Sequence, residues 1–336
     1  MEKLRNNKHL VMMIAAFAAI YIVWGSTYLG IKYAIETFPP FIMAGARFLF
    51  AGGVLFLIAT RTSEFERPKA VHWRTSLIVG TLLLLGGNGG VVIAQHYISS
   101  SLAALLVASE PFWIVILSWL WLKNGRPDWR VALGLVIGFV GVAMLVTGQD
   151  IEGGFLNGGF YQWLGTFAVL AAAMSWAAGS IYGLKSPVPK SSLLTAGMQM
   201  ISGGAMLLIV SLLKGEWWSF DIAAVSTRSW LAVGYLIIFG SLIGFTAYSW
   251  LLKNAQPSMV ATYAYVNPVV AVLLGWGIAG ESLTAQMLAG AAIVVVSVAL
   301  VTRQKPKSEG EQAGGIEIHR SQTQTCTAPS YSSASS

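Results

Sequence analysis

Residues 102–122 read LAALLVASEPFWIVILSWLWL, 21 positions with a single charge, Glu110, followed by Pro111. About 20 mostly apolar residues cover a hydrocarbon core of about 30 Å as a helix. Glu110 lies eight residues in, a depth of about 12 Å at the helical rise. An ionisable group that deep is expensive and marks a substrate or proton path by default. The competing reading is a hydrogen-bonded structural Glu that joins two helices.

Working outward, the same length criterion draws ten spans, near residues 10–33, 40–60, 75–95, 102–122, 129–147, 160–184, 192–213, 229–252, 259–279 and 285–302. The composition agrees. Apolar residues make up 55% of the 336 and charged residues 10%, against about 25% charged in soluble domains, and mean hydropathy is +0.66. Residues 1–9 are polar and basic, but the apolar run after them passes Tyr21 without a small-residue cleavage pattern, which reads as an uncleaved first helix. Residues 303–336 are rich in Ser, Thr, Gln and Gly and read as a disordered tail.

Orientation follows from Lys and Arg. With the N-terminus cytoplasmic, 17 of the 21 basic residues fall on inner segments; Lys32, Lys214 and Arg228 fall outside and Arg47 within a span. That bias predicts both termini cytoplasmic. The net charge of +7 is therefore a topology signal, with no basic, aromatic-interleaved surface for nucleic acid.

The chain also resembles itself. Gly25-Ser26-Thr27-Tyr28 recurs as Gly179-Ser180-Ile181-Tyr182, Ala44-Gly45 and Gly52-Gly53 as Ala196-Gly197 and Gly203-Gly204, and Glu110-Pro111 aligns with Asn267-Pro268, at offsets between 151 and 157. A repeat of five spans must enter the membrane upside down the second time. The predicted fold is thus an all-α membrane protein, ten transmembrane helices as two inverted five-helix repeats around a central cavity. Residues 10–147 and 160–302 form the repeats, 148–159 an extracytoplasmic linker, and 1–9 and 303–336 cytoplasmic tails. Secondary transporters commonly use this plan, with the substrate at the midplane seam.

The candidate substrate-path residues are Glu110, Asn267, Trp24, Ser26, Tyr28, Asn88, Trp176, Ser180, Tyr182 and Tyr265. Their amphipathic rings and hydroxyls suit a cavity wall; hydroxyls bonded to their own helix and rings packed as core are the equal alternative. Asn88, within Gly86-Gly87-Asn88-Gly89-Gly90, reads as a ligand or as glue between close-packed helices. Pro111 and Pro268 read as paired kinks suited to a gate. Arg47 is a charge partner for Glu36, for Glu110 or for a substrate carboxylate, or else a snorkelling side chain near the outer headgroups. Lys32 and Glu36 stand at i,i+4 as a surface pair. Gly134, Gly138 and Gly141 form a small-residue stripe for helix packing or a homodimer.

The chain has one cysteine, Cys326, no Walker A loop and no H-E-x-x-H spacing; its four histidines lie in tails or at span ends. Neither an enzyme, a metal or cofactor site, nor an ATP-driven pump is predicted.

Several stretches together resemble the EamA-type branch of the drug/metabolite transporter superfamily, especially its YedA-like bacterial inner-membrane members. They are Tyr21-Ile22-Val23-Trp24-Gly25-Ser26-Thr27-Tyr28, Phe38-Pro39-Pro40 with Met43-Ala44-Gly45 and Arg47-Phe48, Gly87-Asn88-Gly89, Ser175-Trp176 with Gly179-Ser180, and Ala261 to Gly275 with Gly280-Glu281 beyond. The resemblance covers roughly residues 10–302. It implies a ten-helix inverted repeat with a central cavity, spans five and ten to one side, and export of small metabolites such as amino acids, their derivatives or toxic compounds. Where many members carry an acidic Gly-Glu position after span four, this chain has Lys123-Asn124-Gly125-Arg126. The leading expectation is a secondary exporter working by alternating access in the inner membrane, with protons as candidate coupling ions at Glu110. An importer or facilitator, and a non-transporting scaffold or sensor, are the alternatives.

Overall fold

The computed structural model describes residues 2–98, 103, 106–122, 128–147, 160–279 and 284–302. Lys123 to Arg126, the 148–159 linker, Glu281, His319, Cys326 and the 303–336 tail lie outside the described residues. All regular structure among the described residues is helical. Six helices are long and apolar enough to cross a membrane: His9–Ala34, Pro40–Ala59, Ala70–Ala94, Trp163–Lys185, Ser192–Leu213 and Thr227–Asn254. Glu110–Trp121, Trp129–Met144 and Leu288–Leu300 are shorter apolar helices. The chain is a multi-pass membrane protein. Its outward faces carry Phe50, Leu57, Phe160, Leu213 and Leu231 exposed, as lipid-facing surfaces require, and a helix suits hydrocarbon because it bonds most of its backbone polar groups internally.

In chain order the elements are α1 (Glu2–Ala34), α2 (Pro40–Ala59), α3 (Ala70–Gly80), a π-helical segment π1 (Thr81–Gly89), α4 (Gly90–Ala94), α5 (Glu110–Leu122), α6 (Trp129–Thr147), α7 (Phe160–Lys185) and α8 (Ser192–Leu213). There follow α9 (Glu216–Ser219), α10 (Thr227–Tyr235), a second π segment π2 (Leu236–Phe245), α11 (Thr246–Asn254), α12 (Pro257–Val260), α13 (Tyr263–Ala279) and α14 (Ala285–Thr302).

Glycine lets two helix pairs approach backbone to backbone. A Cβ added at Gly52 would lie 2.8 Å from the Ile201 nitrogen and 2.9 Å from the Gly197 oxygen; one at Gly204 would lie 2.7 Å from the Leu49 nitrogen and 3.0 Å from the Gly45 oxygen. Because Gly45 meets Gly204 and Gly52 meets Gly197, α2 and α8 run antiparallel. The stripe on α6 is filled from within the chain. Gly141 meets Gly290, Ile293 and Val294 of α14, and Ser297 Oγ donates to the Gly134 carbonyl at 2.6 Å. Without a hydrophobic drive between helices in lipid, close packing of this kind and interhelical hydrogen bonds hold such pairs.

The remaining packing is reciprocal between the halves. α1 packs on α10–π2 and α13, while α7 packs on π1–α4 and α5. The two π segments sit at matching places, π1 starting at Thr81 and π2 at Leu236. Two further stretches are also broken by turns. Ala108–Ser109 is a turn before α5, and Ala261–Thr262 a turn between α12 and α13. Pro111 is thus the second residue of α5, where a missing amide costs nothing, and the break in that span is the turn, not a proline kink. Pro268 does lie inside its helix.

Candidate functional site

A cavity of about 720 Å³, counted with its open mouth, lies between α1, α2, π1, α4, α5, α7, π2 and α13. Its walls include Trp24, Thr27, Tyr28, Arg47, Phe48, Asn88, Glu110, Trp176, Phe245, Tyr263 and Asn267. Among the described residues, Arg47 and Glu110 are the only charged ones in the lining.

Helical spacing sorts the candidates. On α1, Trp24, Thr27, Tyr28 and Ile31 share one face at i, i+3, i+4 and i+7 and line the cavity. Ser26 points elsewhere, with its hydroxyl against Tyr235 and bonded to the Val23 carbonyl. On α13, Tyr263 and Asn267 are four apart and line the cavity. Tyr265 is two residues from each, on the opposite side, where its hydroxyl donates to the Leu135 carbonyl of α6 at 3.2 Å. Ser180 sits behind the wall, bonded to Tyr248 and the Trp176 carbonyl, and Tyr182 packs into the main core. Of the ten candidate path residues, then, Glu110, Asn267, Trp24, Tyr28, Asn88 and Trp176 are brought together, and Ser26, Ser180, Tyr182 and Tyr265 are not.

Glu110 is 2% exposed. It is the first residue of α5, where the helix dipole favours a carboxylate. Tyr263, the first residue of α13, donates its hydroxyl to Glu110 Oε2 at 2.5 Å. The helices α5 and α13 therefore meet through the side chains of their first residues. Asn267, which aligns with Glu110 in the sequence, shares the cavity one turn further on, and the direct contact belongs to Tyr263. Glu110 Oε1 and Asn267 Oδ1 have no hydrogen-bond partner.

Arg47 neither snorkels nor pairs with a carboxylate. It is 3% exposed, its Nη2 donates to Asn88 Oδ1 at 2.9 Å, its guanidinium lies 4.3 Å from the Phe48 ring centroid, and its Nε is unpartnered. Glu36 is instead 3.7 Å from Arg228, so the expected Lys32–Glu36 pair is replaced by one across to α10.

Three lining rings, Trp24, Trp176 and Tyr263, pack with Tyr248 in one aromatic cluster. Trp24 is 5.5 Å from Trp176 and 4.9 Å from Tyr263, both edge to face, and 5.1 Å from Tyr248. Trp176 Nε1 donates to Tyr248 Oη at 2.9 Å, and Trp24 Nε1 to the Gly240 carbonyl of π2 at 3.1 Å. Each tryptophan is seated against a glycine of the opposite half's π segment. A Cβ at Gly87 of π1 would lie 2.7 Å from Trp176 Cε3, and one at Gly244 of π2 would lie 2.9 Å from Trp24 Cδ1. The seats are crossed: π1 holds the ring from α7, and π2 holds the ring from α1. Tyr248, Phe245 and Gly244 escaped the sequence reading, although Gly240, Gly244 and Tyr248 at spacings of four mark one face of their span.

A buried, aromatic-walled cavity between broken and π-bulged membrane helices, with one acid and one base in its lining, defines a membrane protein of the transporter class. Comparison with known proteins supplies the family. The chain matches the EamA-like transporter family over residues 10–147 and 163–303, and it belongs to that family, within the drug/metabolite transporter superfamily. It is 37% identical over 299 residues to the "Uncharacterized inner membrane transporter YedA" of Escherichia coli K12, covering 89% of this chain and 93% of that one. It is 28% identical to the "Uncharacterized transporter YvbV" of Bacillus subtilis (91% and 96% covered) and 27% identical to a "Probable amino-acid metabolite efflux pump" of Salmonella typhimurium (83% and 91% covered). A crystal structure at 21% identity shares the fold, with a TM-score of 0.70 over 87% of this chain and 96% of that one.

Proposed function

We propose that the chain is a secondary exporter of small amphipathic metabolites, amino acids or their derivatives among them, that works by alternating access and uses Glu110 as its proton-binding group. The observation that carries this reading is the Glu110–Tyr263 contact at the cavity, made by the first residues of α5 and α13. A buried carboxyl with one free oxygen can take a proton or a substrate's donor in turn. Export is supported by the relative named a "Probable amino-acid metabolite efflux pump".

The architecture proposed with it is ten crossings in two inverted five-helix repeats, with both termini cytoplasmic. Antiparallel α2 and α8, reciprocal packing of α1 and α7, and mirrored π segments and breaks support it. In such a carrier the reciprocal contacts let one half rock against the other about a fixed site.

The test is flux. Metabolites released by overexpressing and deletion cells identify a cargo, and the purified protein is then assayed in proteoliposomes with and without a pH gradient. Glu110→Gln is expected to abolish gradient-driven flux. Flux in that variant with an unchanged response to the gradient would remove the coupling role, and absence of any redistributed metabolite would remove transport.

A further inference from the structure

Resting on that reading, we infer that Arg47, positioned by Asn88, is a carboxylate-recognition site, and that the cargo is a monoanion with an apolar body whose charged end docks on the guanidinium. A buried cation is costly unless something compensates it. Here no carboxylate lies within ion-pair distance; among the described residues the ion pair is that of Arg228 with Glu36 at the surface. The guanidinium has five N–H donors in a planar fork. One is held by Asn88 Oδ1, and Nε is unmatched although Arg47 lines the cavity. The missing partner is therefore an acceptor that arrives from the cavity, and a planar carboxylate matches the fork in a bidentate manner.

The chemistry of the walls narrows the class. Among the described lining residues Arg47 is the one cation, and with Glu110 protonated it matches a single negative charge but not a phosphate dianion. Phe48 lies against the guanidinium, and Trp24, Trp176 and Phe245 add ring surface to a lining whose other polar groups include Thr27, Tyr28, Glu110 and Asn267. Asn88 is a positioning residue. It sits in the π1 segment, whose wide turns carry its amide to the α2 side chain, and it fixes which edge of the guanidinium is free.

The test uses three probes of one shape: 3-phenylpropionate, its methyl ester and phenyl phosphate. Binding to the full-length protein in lipid nanodiscs is read from tryptophan fluorescence, since Trp24 and Trp176 line the cavity. The acid is expected to bind about tenfold or more tighter than the ester and tighter than the phosphate, the size expected of a charge-assisted hydrogen-bond pair. Arg47→Gln should erase that preference, Arg47→Lys should retain part of it, and Asn88→Ala should weaken the acid more than the ester. Circular dichroism checks that each variant is folded, and the wild-type acid-to-ester ratio needs no variant at all. Equal binding of acid and ester, no saturable binding of the acid, or a folded Arg47→Gln that keeps the preference would overturn the site. Transport is judged separately by metabolite release, so a carrier that moves cargo while ignoring this charge loses only the present inference.

Discussion

The crossed seats of the two tryptophans make a quantitative prediction for Gly87→Ala. The new methyl would stand 2.7 Å from Trp176 Cε3 and 3.2 Å from its Cβ, whereas carbon atoms rest about 3.5–4.0 Å apart. The indole must then retreat by about 1 Å. Its Nε1 bond to Tyr248 Oη is already 2.9 Å, so a retreat of that size carries it beyond hydrogen-bond range. Overpacking costs about 1–3 kcal/mol and the lost bond about 1 kcal/mol. Replacing a helical glycine by alanine returns about 1 kcal/mol. The balance is a destabilisation of about 1–3 kcal/mol. Gly53 is the control: it lies in α2 with nothing within 4 Å of an added Cβ, so Gly53→Ala should stabilise by up to about 1 kcal/mol. Unfolding of purified protein in mixed micelles, followed by tryptophan fluorescence, measures both. If Gly87→Ala is as stable as Gly53→Ala, Trp176 is not seated on that glycine and the description of the aromatic cluster fails.

The same logic extends elsewhere. Gly244→Ala should displace Trp24 and break its bond to the Gly240 carbonyl, with a loss similar to that of Gly87→Ala in the same unfolding assay. Tyr263→Phe removes the donor to Glu110 and leaves a buried carboxyl without a partner, so a loss of about 1–3 kcal/mol is expected, measured by thermal unfolding and reduced in the Glu110→Gln background. Gly52→Leu should force α2 from α8 and lower the yield of folded protein, read by size-exclusion chromatography. In a background with Cys326 replaced, single cysteines at 88, 110, 176 and 267 should react with a water-soluble thiol reagent, while one at 265 should stay inert; reversal of that pattern would displace the cavity.

Much of the architecture was legible because a bilayer writes span length into sequence. The apolar runs that contain Phe41, Leu83 and Leu207 announced their helices directly. The cavity was legible in part. Glu110 stood out as a lone charge at mid-depth, and Trp24, Asn88 and Trp176 as polar or aromatic breaks in apolar runs. What failed was azimuth. Tyr263 and Tyr265 look equivalent along the chain, yet 200° of helical rotation sends one to Glu110 and the other to α6. Arg47 failed for a different reason. Its depth fitted a snorkelling side chain, and only the position of π1 shows that Asn88 turns it inward. No local signal in residues 81–89 announces wide turns, because π geometry is set by what the segment packs against, here Ser175 donating to the Leu82 carbonyl at 2.8 Å.

The presence of one arginine and one glutamate among the described lining residues has an electrical consequence. With both ionised, their charges sum to zero. The membrane potential does work on net charge, about 2.3 kcal/mol per elementary charge per 100 mV. A carrier that reorients such a cavity while it is empty therefore moves no charge through the field on its walls. Any voltage dependence of its flux then reports the charge of the cargo and of the proton that accompanies it. Current measured across a bilayer loaded with the protein becomes a count of what the cavity holds, obtainable before the cargo has been identified.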